Sequence, residues 1–466
     1  MSEAIEAFSP IFALPFELLA KIFVLGVGSH SDSELDSYRL QDTYRVLHVC
    51  SHWRNVAIQT RQLWTGPLTV SVSLGRRSEA KERAYAEALQ GLLARSEPLP
   101  ISICLRNFRS SSSFVEPNVH IMRALAETSS RWRSLRIRET VPESFIKTLA
   151  ESGPFSCLEE LDLRRVSRHA QLVKLAFALS FSSALRLRKL TIDLECRVPM
   201  PWALLSEVHI FATSQHYGNI LGVLAQCANL LKASIVLSAL SEPPPFRPTD
   251  TSLNHLESLS LTFVGESEKF FMPFLVRLSA PALESLSLAC ETLEDAIWDN
   301  LSFTNFQTRS PNITNLDISG NSSPIPSSSL ISALTHSPLL THLRVNDCSI
   351  NDTFLRALTL REEAGSPPLV PWLYSLSLTG LADVGICISE DVLKRMIESR
   401  WGYSDSDALM SDARSGRCLQ KVVLGGESAI HGSFRFSEDF MNAMKNLQGS
   451  TGPPSSIEFV EEILLR

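Results

Sequence analysis

The chain has 466 residues, 44% of them hydrophobic and 20% charged, with a formal net charge of -7, so it lacks the basic face of a nucleic-acid binder and no nucleic-acid partner is expected. No apolar run approaches the roughly 18 residues needed to span a bilayer. Residues 1–10 lack the basic start and apolar centre of a signal peptide, which predicts a soluble intracellular protein, cytoplasmic or nuclear, with no membrane partner. Its nine Cys are scattered without any C-x-x-C pair, predicting buried reduced thiols rather than disulfides or a metal clasp.

The first elements lie in residues 11–68. LPFELLAKIFVLGV sets Leu14, Leu18, Leu19, Ile22, Phe23 and Leu25 at spacings of three and four, which predicts one apolar helix face with Pro15 in the first turn. A polar stretch, SHSDSELDSYRLQD, separates it from a second helical pattern, TYRVLHVCSHWRNVAIQTRQLW. There Val46, Val49, Cys50, Trp53, Val56 and Ala57 form the stripe and Leu63 and Trp64 end it. A piece of roughly 50 residues has too little core to bury that much apolar area, so a partner is implied.

After Trp64 the pattern predicts a strand over 67–74, a helix over 79–96 and a strand over 98–105. Then L-x-x-L-x-L, with apolar substitutions, recurs. It begins at Trp132, Leu158, Leu187, Leu205, Leu230, Leu256, Leu283, Ile313, Leu340, Leu373 and Leu419. Most steps are about 25 to 30 residues, the length range of leucine-rich repeats. Helices need more lateral room than paired strands, so a stack with strands on one side and helices on the other must curve, strands inside. Proline-rich 242–250 and 365–371 predict loops, and 402–417 an insertion. A helix over 389–400, a helix over 437–447 capped by Ser437, and the tail IEFVEEILLR close the chain.

No catalytic motif is present: there is no phosphate-binding glycine loop, H-E-x-x-H or G-x-S-x-G. The chain is therefore not expected to be an enzyme or to hold a cofactor or metal. His48 and His52, four apart on the predicted helix, are read as flanking polar residues and Cys50 as a packed thiol. What the repeats offer is a surface. Residues between and just after the apolar positions project from the strand face, which presents Arg136, Arg138, Asp162, Arg164, Lys189, Asp193, Glu207 and His209 in the early units. Serines and Thr262 fill the middle units, and Asn315, Asp317, His342, Arg344 and Asn346 the late ones. The candidate substrate-binding residues are Arg136, Asp162, Arg164, Lys189, His209, Asp317, His342, Arg344 and Asn346. A cluster of Arg131, Arg133, Arg136 and Arg138 lies on one predicted strand.

In order, Leu14-Pro15, Leu18-Leu19, Ile22-Phe23, Val49-Cys50, Trp53-Arg54 and Leu63-Trp64 closely resemble the F-box pattern. The repeats resemble those of leucine-rich-repeat F-box proteins, and the unit at Leu340 resembles the family's cysteine-containing repeat through Cys348. The resemblance implies an α/β leucine-rich-repeat solenoid, a curved parallel sheet with helices on the convex side, preceded by a small all-α F-box module. Its domains would be 1–66 (F-box), 67–436 (repeats) and 437–466 (C-terminal cap). It further implies a substrate-recognition subunit of an SCF ubiquitin ligase. In that role Leu14, Pro15, Leu18, Ile22, Val49, Cys50 and Trp53 would dock a Skp-type adaptor, and through it cullin, while the concave face holds a target protein. The competing readings are an interaction scaffold whose first helices only cap the repeats, and a face that holds a small anion with Arg136, Arg138, Arg164 and Lys189.

Overall fold

The computed structural model describes residues 11, 14–28, 36–71, 79–106, 119–137, 147–149, 154–164, 180–194, 198–212, 217–238, 251–264, 271–290, 298–320, 325–360, 368–380, 388–401, 419–425, 427–428, 432–433, 436–449 and 456–460. The expected loop 242–250 and insertion 402–417, and residues 365–367 of the expected loop 365–371, lie outside them, as does Arg138. The chain forms two compact units, Met1–Leu205 and Ser206–Arg466.

The first unit begins with helices Phe16–Gly28, Asp36–Leu47 and Ser51–Gln59 and a 3-10 turn Arg61–Trp64. Their core is Leu19, Phe23, Val27, Leu47, Val56, Ala57, Leu63 and Trp64. At 100° per residue the apolar positions of the first helix form two faces, where the sequence pattern suggested one. Leu19, Phe23 and Val27 point into the core, while Leu18, Ile22 and Leu25 are exposed. The second helical pattern is also divided. The backbone turns at 48–50, and Cys50, extended at φ -159° and ψ 173°, caps the next helix by accepting the Trp53 amide on Sγ at 3.4 Å. His48 sits in that turn and His52 in the helix beyond it, so they do not share a helix face. Among the described residues no group of three or more His, Cys, Asp and Glu is arranged to hold a metal ion.

Five parallel strands follow: Leu68–Ser71, Ile101–Arg106, Trp132–Ile137, Glu160–Leu163 and Lys189–Asp193, each hydrogen-bonded to the next. Helices Glu79–Arg95 and Val119–Ala126 lie in the first two connections.

The second unit continues the theme with nine parallel strands of the large sheet among its described residues: Glu207–Ala212, Lys232–Ser238, Ser258–Val264, Ser285–Cys290, Asn315–Ser319, His342–Asn346, Ser375–Thr379, Lys421–Gly425 and Ser456–Val460. The apolar signature sets the register. Leu259, Leu286, Leu316, Leu343, Leu376, Val422 and Ile457 pair in one row, and Leu261, Leu288, Ile318, Val345, Leu378, Leu424 and Phe459 in another. A one-residue slip would turn every one of these outward, so the pattern admits a single register. Just before the strands, the Glu257, Glu284, Thr314, Thr341 and Tyr374 carbonyls each accept two amides from the next unit, which carries the ladder one residue further.

The connecting helices, among them Asn300–Thr308, Ser327–Thr335, Asp352–Leu358 and Glu390–Arg400, carry their own buried stripes. Arginines staple neighbouring units together. The buried Arg400 guanidinium donates to the Leu358, Leu369 and Val370 carbonyls, and Arg309 donates to those of Leu275, Val276 and Leu278. Arg131 does the same in the first unit, to Leu93 and Leu99. A cation on the last carbonyls of a preceding helix offsets both their unmet hydrogen bonds and the helix dipole. At the C-terminal end, Ser437 caps helix Glu438–Gly449 by accepting the Phe440 amide at 3.1 Å. The tail adds the last strand of the sheet, and Phe436, Phe440 and Phe459 pack ring against ring.

Candidate functional site

Two surfaces stand out, one in each unit. On the N-terminal helical module, Leu18, Ile22 and Leu25 of the first helix and Val49 of the turn at 48–50 are 51%, 49%, 65% and 58% exposed, which is much exposed apolar surface for so small a module. Pro15 is exposed as well, whereas Leu14, Cys50 and Trp53 are half-buried. Leu14 and Trp53 pack on the helical core, Trp53 with its ring 4.8 Å from that of Phe23. The seven residues expected to dock an adaptor therefore divide into four on the surface and three that support it.

In the second unit the strand face carries a groove of about 710 Å3, lined by Ser285, Asn315, Asp317, His342, Arg344, Tyr374, Ser375, Ser377, Thr379, Lys421 and Val423 with the edges of Leu286, Leu316 and Leu343. The register explains this assembly. Asn315, His342, Ser375 and Lys421 stand side by side on four successive strands, and Asp317, Arg344, Ser377 and Val423 form the next row. Small serines on the 375–379 strand thus lie between long side chains on both neighbours, which leaves a trough. Desolvation raises the Asp317 pKa above its usual value and the charge of Arg344 counteracts this. No ion pair within 4.0 Å engages Arg344 among the described residues. The Lys421 ammonium lies 3.4 Å from Glu458, on the side away from the serines. His342 receives or donates a bond with Thr341 Oγ1 at 2.8 Å, and its ring lies 5.6 Å from that of Tyr374.

Of the nine sequence-derived binding residues, Asp317, His342 and Arg344 are brought together here. Asn346 is adjacent but already committed. Its amide nitrogen donates to Ser319 at 3.1 Å and Asp347 at 3.0 Å, and its oxygen accepts from Thr379 at 2.7 Å, which makes it a clamp across three strands. His209 shares the row of Asp317 but lies four strands away, roughly 19 Å at about 4.8 Å per strand. Its ring nitrogen contacts Glu207 at 2.8 Å. In the first unit, Arg164 pairs with Asp162 at 3.0 Å and Arg136 with Glu160 at 3.8 Å, while Lys189 is half-buried. Asp193, expected to project, is 4% exposed. The expected arginine cluster is also dispersed, because Arg131 is spent on backbone carbonyls.

Tyr374, Ser375, Ser377, Thr379, Lys421 and Val423 were missed as site residues. Extending the same projection rule to the units at Leu373 and Leu419 would have found all but Tyr374, which precedes its strand.

No protein-family model matches the chain, and no curated protein matches it. Among solved structures it is similar to the crystal structure of the TLR13-ssRNA13 complex, at 13% identity over 86% of this chain and 65% of that one, with a TM-score of 0.33. The match thus spans less than two thirds of that chain.

Proposed function

We propose that this chain is the substrate-recognition subunit of an SCF-type ubiquitin ligase, its N-terminal helices docking a Skp-type adaptor and its repeats holding a target protein. The observation that carries the reading is the exposed apolar face of Leu18, Ile22, Leu25 and Val49 on a module whose core is already filled by Leu19, Phe23, Val27 and Trp64. Leu18, Ile22 and Val49 belong to the F-box-like pattern, and apolar surface of that composition is stabilised by a partner that removes it from water. Transfer would then proceed by proximity: the chain holds the target near a charged enzyme and raises its effective concentration, with no chemistry of its own.

A protein-interaction scaffold outside ubiquitination is the second reading. What favours it is that Leu14 and Trp53, both motif residues, serve the module's own core. The test is affinity purification from cells of the intact chain beside Leu18→Asp/Ile22→Asp, with partners identified by mass spectrometry. Recovery of a Skp adaptor and a cullin with the intact chain, and their loss with the variant, is the expected result. Recovery of neither with the intact chain rejects the ligase reading in favour of the scaffold.

A further inference from the structure

We infer that the trough over Ser375 and Ser377 takes an anionic side chain, a carboxylate or a phosphate, presented by an extended segment of a target protein. The inference rests on the repeats being a protein-binding surface and is independent of the adaptor.

The walls of the trough are unlike its floor. Arg344 and His342 stand on one neighbouring strand and Lys421 on the other, about 9.6 Å apart across two strand spacings. Between them the floor offers the hydroxyls of Ser375 and Ser377, with Tyr374 at the entrance. The nearby carboxylates flank the serine strand at a distance: Asp317 lines the groove on the strand beyond Arg344, and Glu458 lies on the strand beyond Lys421. An anion over the serines therefore meets the Arg344 guanidinium and short hydroxyl donors, while Lys421, paired with Glu458 on its other side, adds its charge from further off. Charge-assisted bonds from an arginine are the strong kind, and with no ion pair within 4.0 Å among the described residues the Arg344 guanidinium has donors to give.

The shape argues for an extended segment. The groove runs across five strands, and Tyr374, 38% exposed in its lining, is available to a flanking apolar side chain. A nucleic-acid strand would place successive phosphates against Asp317 and Glu458 as well as the cations, so the protein segment is the occupant the charges favour.

The test uses the purified full chain and short fluorescent peptide pools, degenerate except for a fixed central phosphoserine, glutamate, serine or lysine, followed by anisotropy. The anionic pools are expected to bind at least about tenfold tighter than the serine pool, a difference worth roughly 1.4 kcal/mol. A preference for phosphoserine over glutamate, or the reverse, identifies which anion the trough reads. Arg344→Glu and, from the floor, Ser377→Asp should each abolish the preference. Arg356→Glu, on helix Asp352–Leu358 outside the groove, should keep it. Equal binding of the serine or lysine pool, retention of the preference in Arg344→Glu with an unchanged melting curve, or displacement by an unstructured oligonucleotide would overturn the inference. Binding of no pool overturns it together with the protein-binding reading of this face, whereas binding of neutral pools alone leaves that reading standing.

Discussion

Leu18 and Leu19 are neighbours in the first helix with opposite roles. Leu19 is fully buried in the helical core and Leu18 is half-exposed. Leu19→Ala should therefore cost about 2 to 5 kcal/mol, as core truncations do, while Leu18→Ala should leave thermal melting nearly unchanged. Equal shifts in melting temperature would contradict the division of the helix into two faces. Asp317 offers a second test. Burial raises its folded-state pKa above the usual carboxylate value, so ionisation is easier in the unfolded chain. The resulting destabilisation is absent below the unfolded pKa and grows as pH rises through the folded one. Asp317→Asn should raise the melting temperature at neutral pH and lose that advantage below about pH 4; a lower melting temperature at pH 7 would argue against it. Arg400 is a third case. Burial pulls its pKa down to about 10, still leaving it charged at neutrality. Arg400→Met would leave the Leu358, Leu369 and Val370 carbonyls without their donor and should destabilise by roughly 3 kcal/mol, measured by denaturant unfolding.

At the scale of elements, the strands were legible because their apolar positions recur at a fixed offset and only one register buries them all. The helices were less so. A helix with apolar residues at spacings of three and four can be buried on either side of the stripe, and the first helix uses both. Helix Asp36–Leu47 was hidden because its only buried positions among those described are Thr43 and Leu47, too sparse a stripe to stand out from a polar linker. The break at Cys50 had no Gly or Pro to announce it, since a thiol serves as the cap. The groove was half legible: the projecting rows follow from period two, but their depth depends on small serines facing long neighbours across strands, a pairing that only the register reveals. One turn near this groove has a strict requirement. Gly380 has φ +67°, and a Cβ there would lie 2.7 Å from the Asp347 backbone nitrogen. Gly380→Ala should lower stability by at least about 2 kcal/mol in thermal unfolding, and an unchanged melting point would mean the turn relaxes freely.

The molecule as a whole divides two tasks between its parts. A helical module with its own core carries an apolar face, and a ladder of parallel strands carries a polar face on which charge is concentrated at particular units. Neither task needs a reacting group on this chain, because a receptor contributes position and a scaffold contributes the same. The two readings diverge only in what covers Leu18, Ile22, Leu25 and Val49. Titration calorimetry of the purified full chain with a purified Skp-type adaptor addresses this directly. The expected result is one-to-one binding with a negative heat-capacity change, the mark of apolar burial, weak dependence on salt, and at least a tenfold loss in Leu18→Asp/Ile22→Asp with its melting temperature preserved. No heat of binding to the intact chain, or full affinity in that variant, would contradict it.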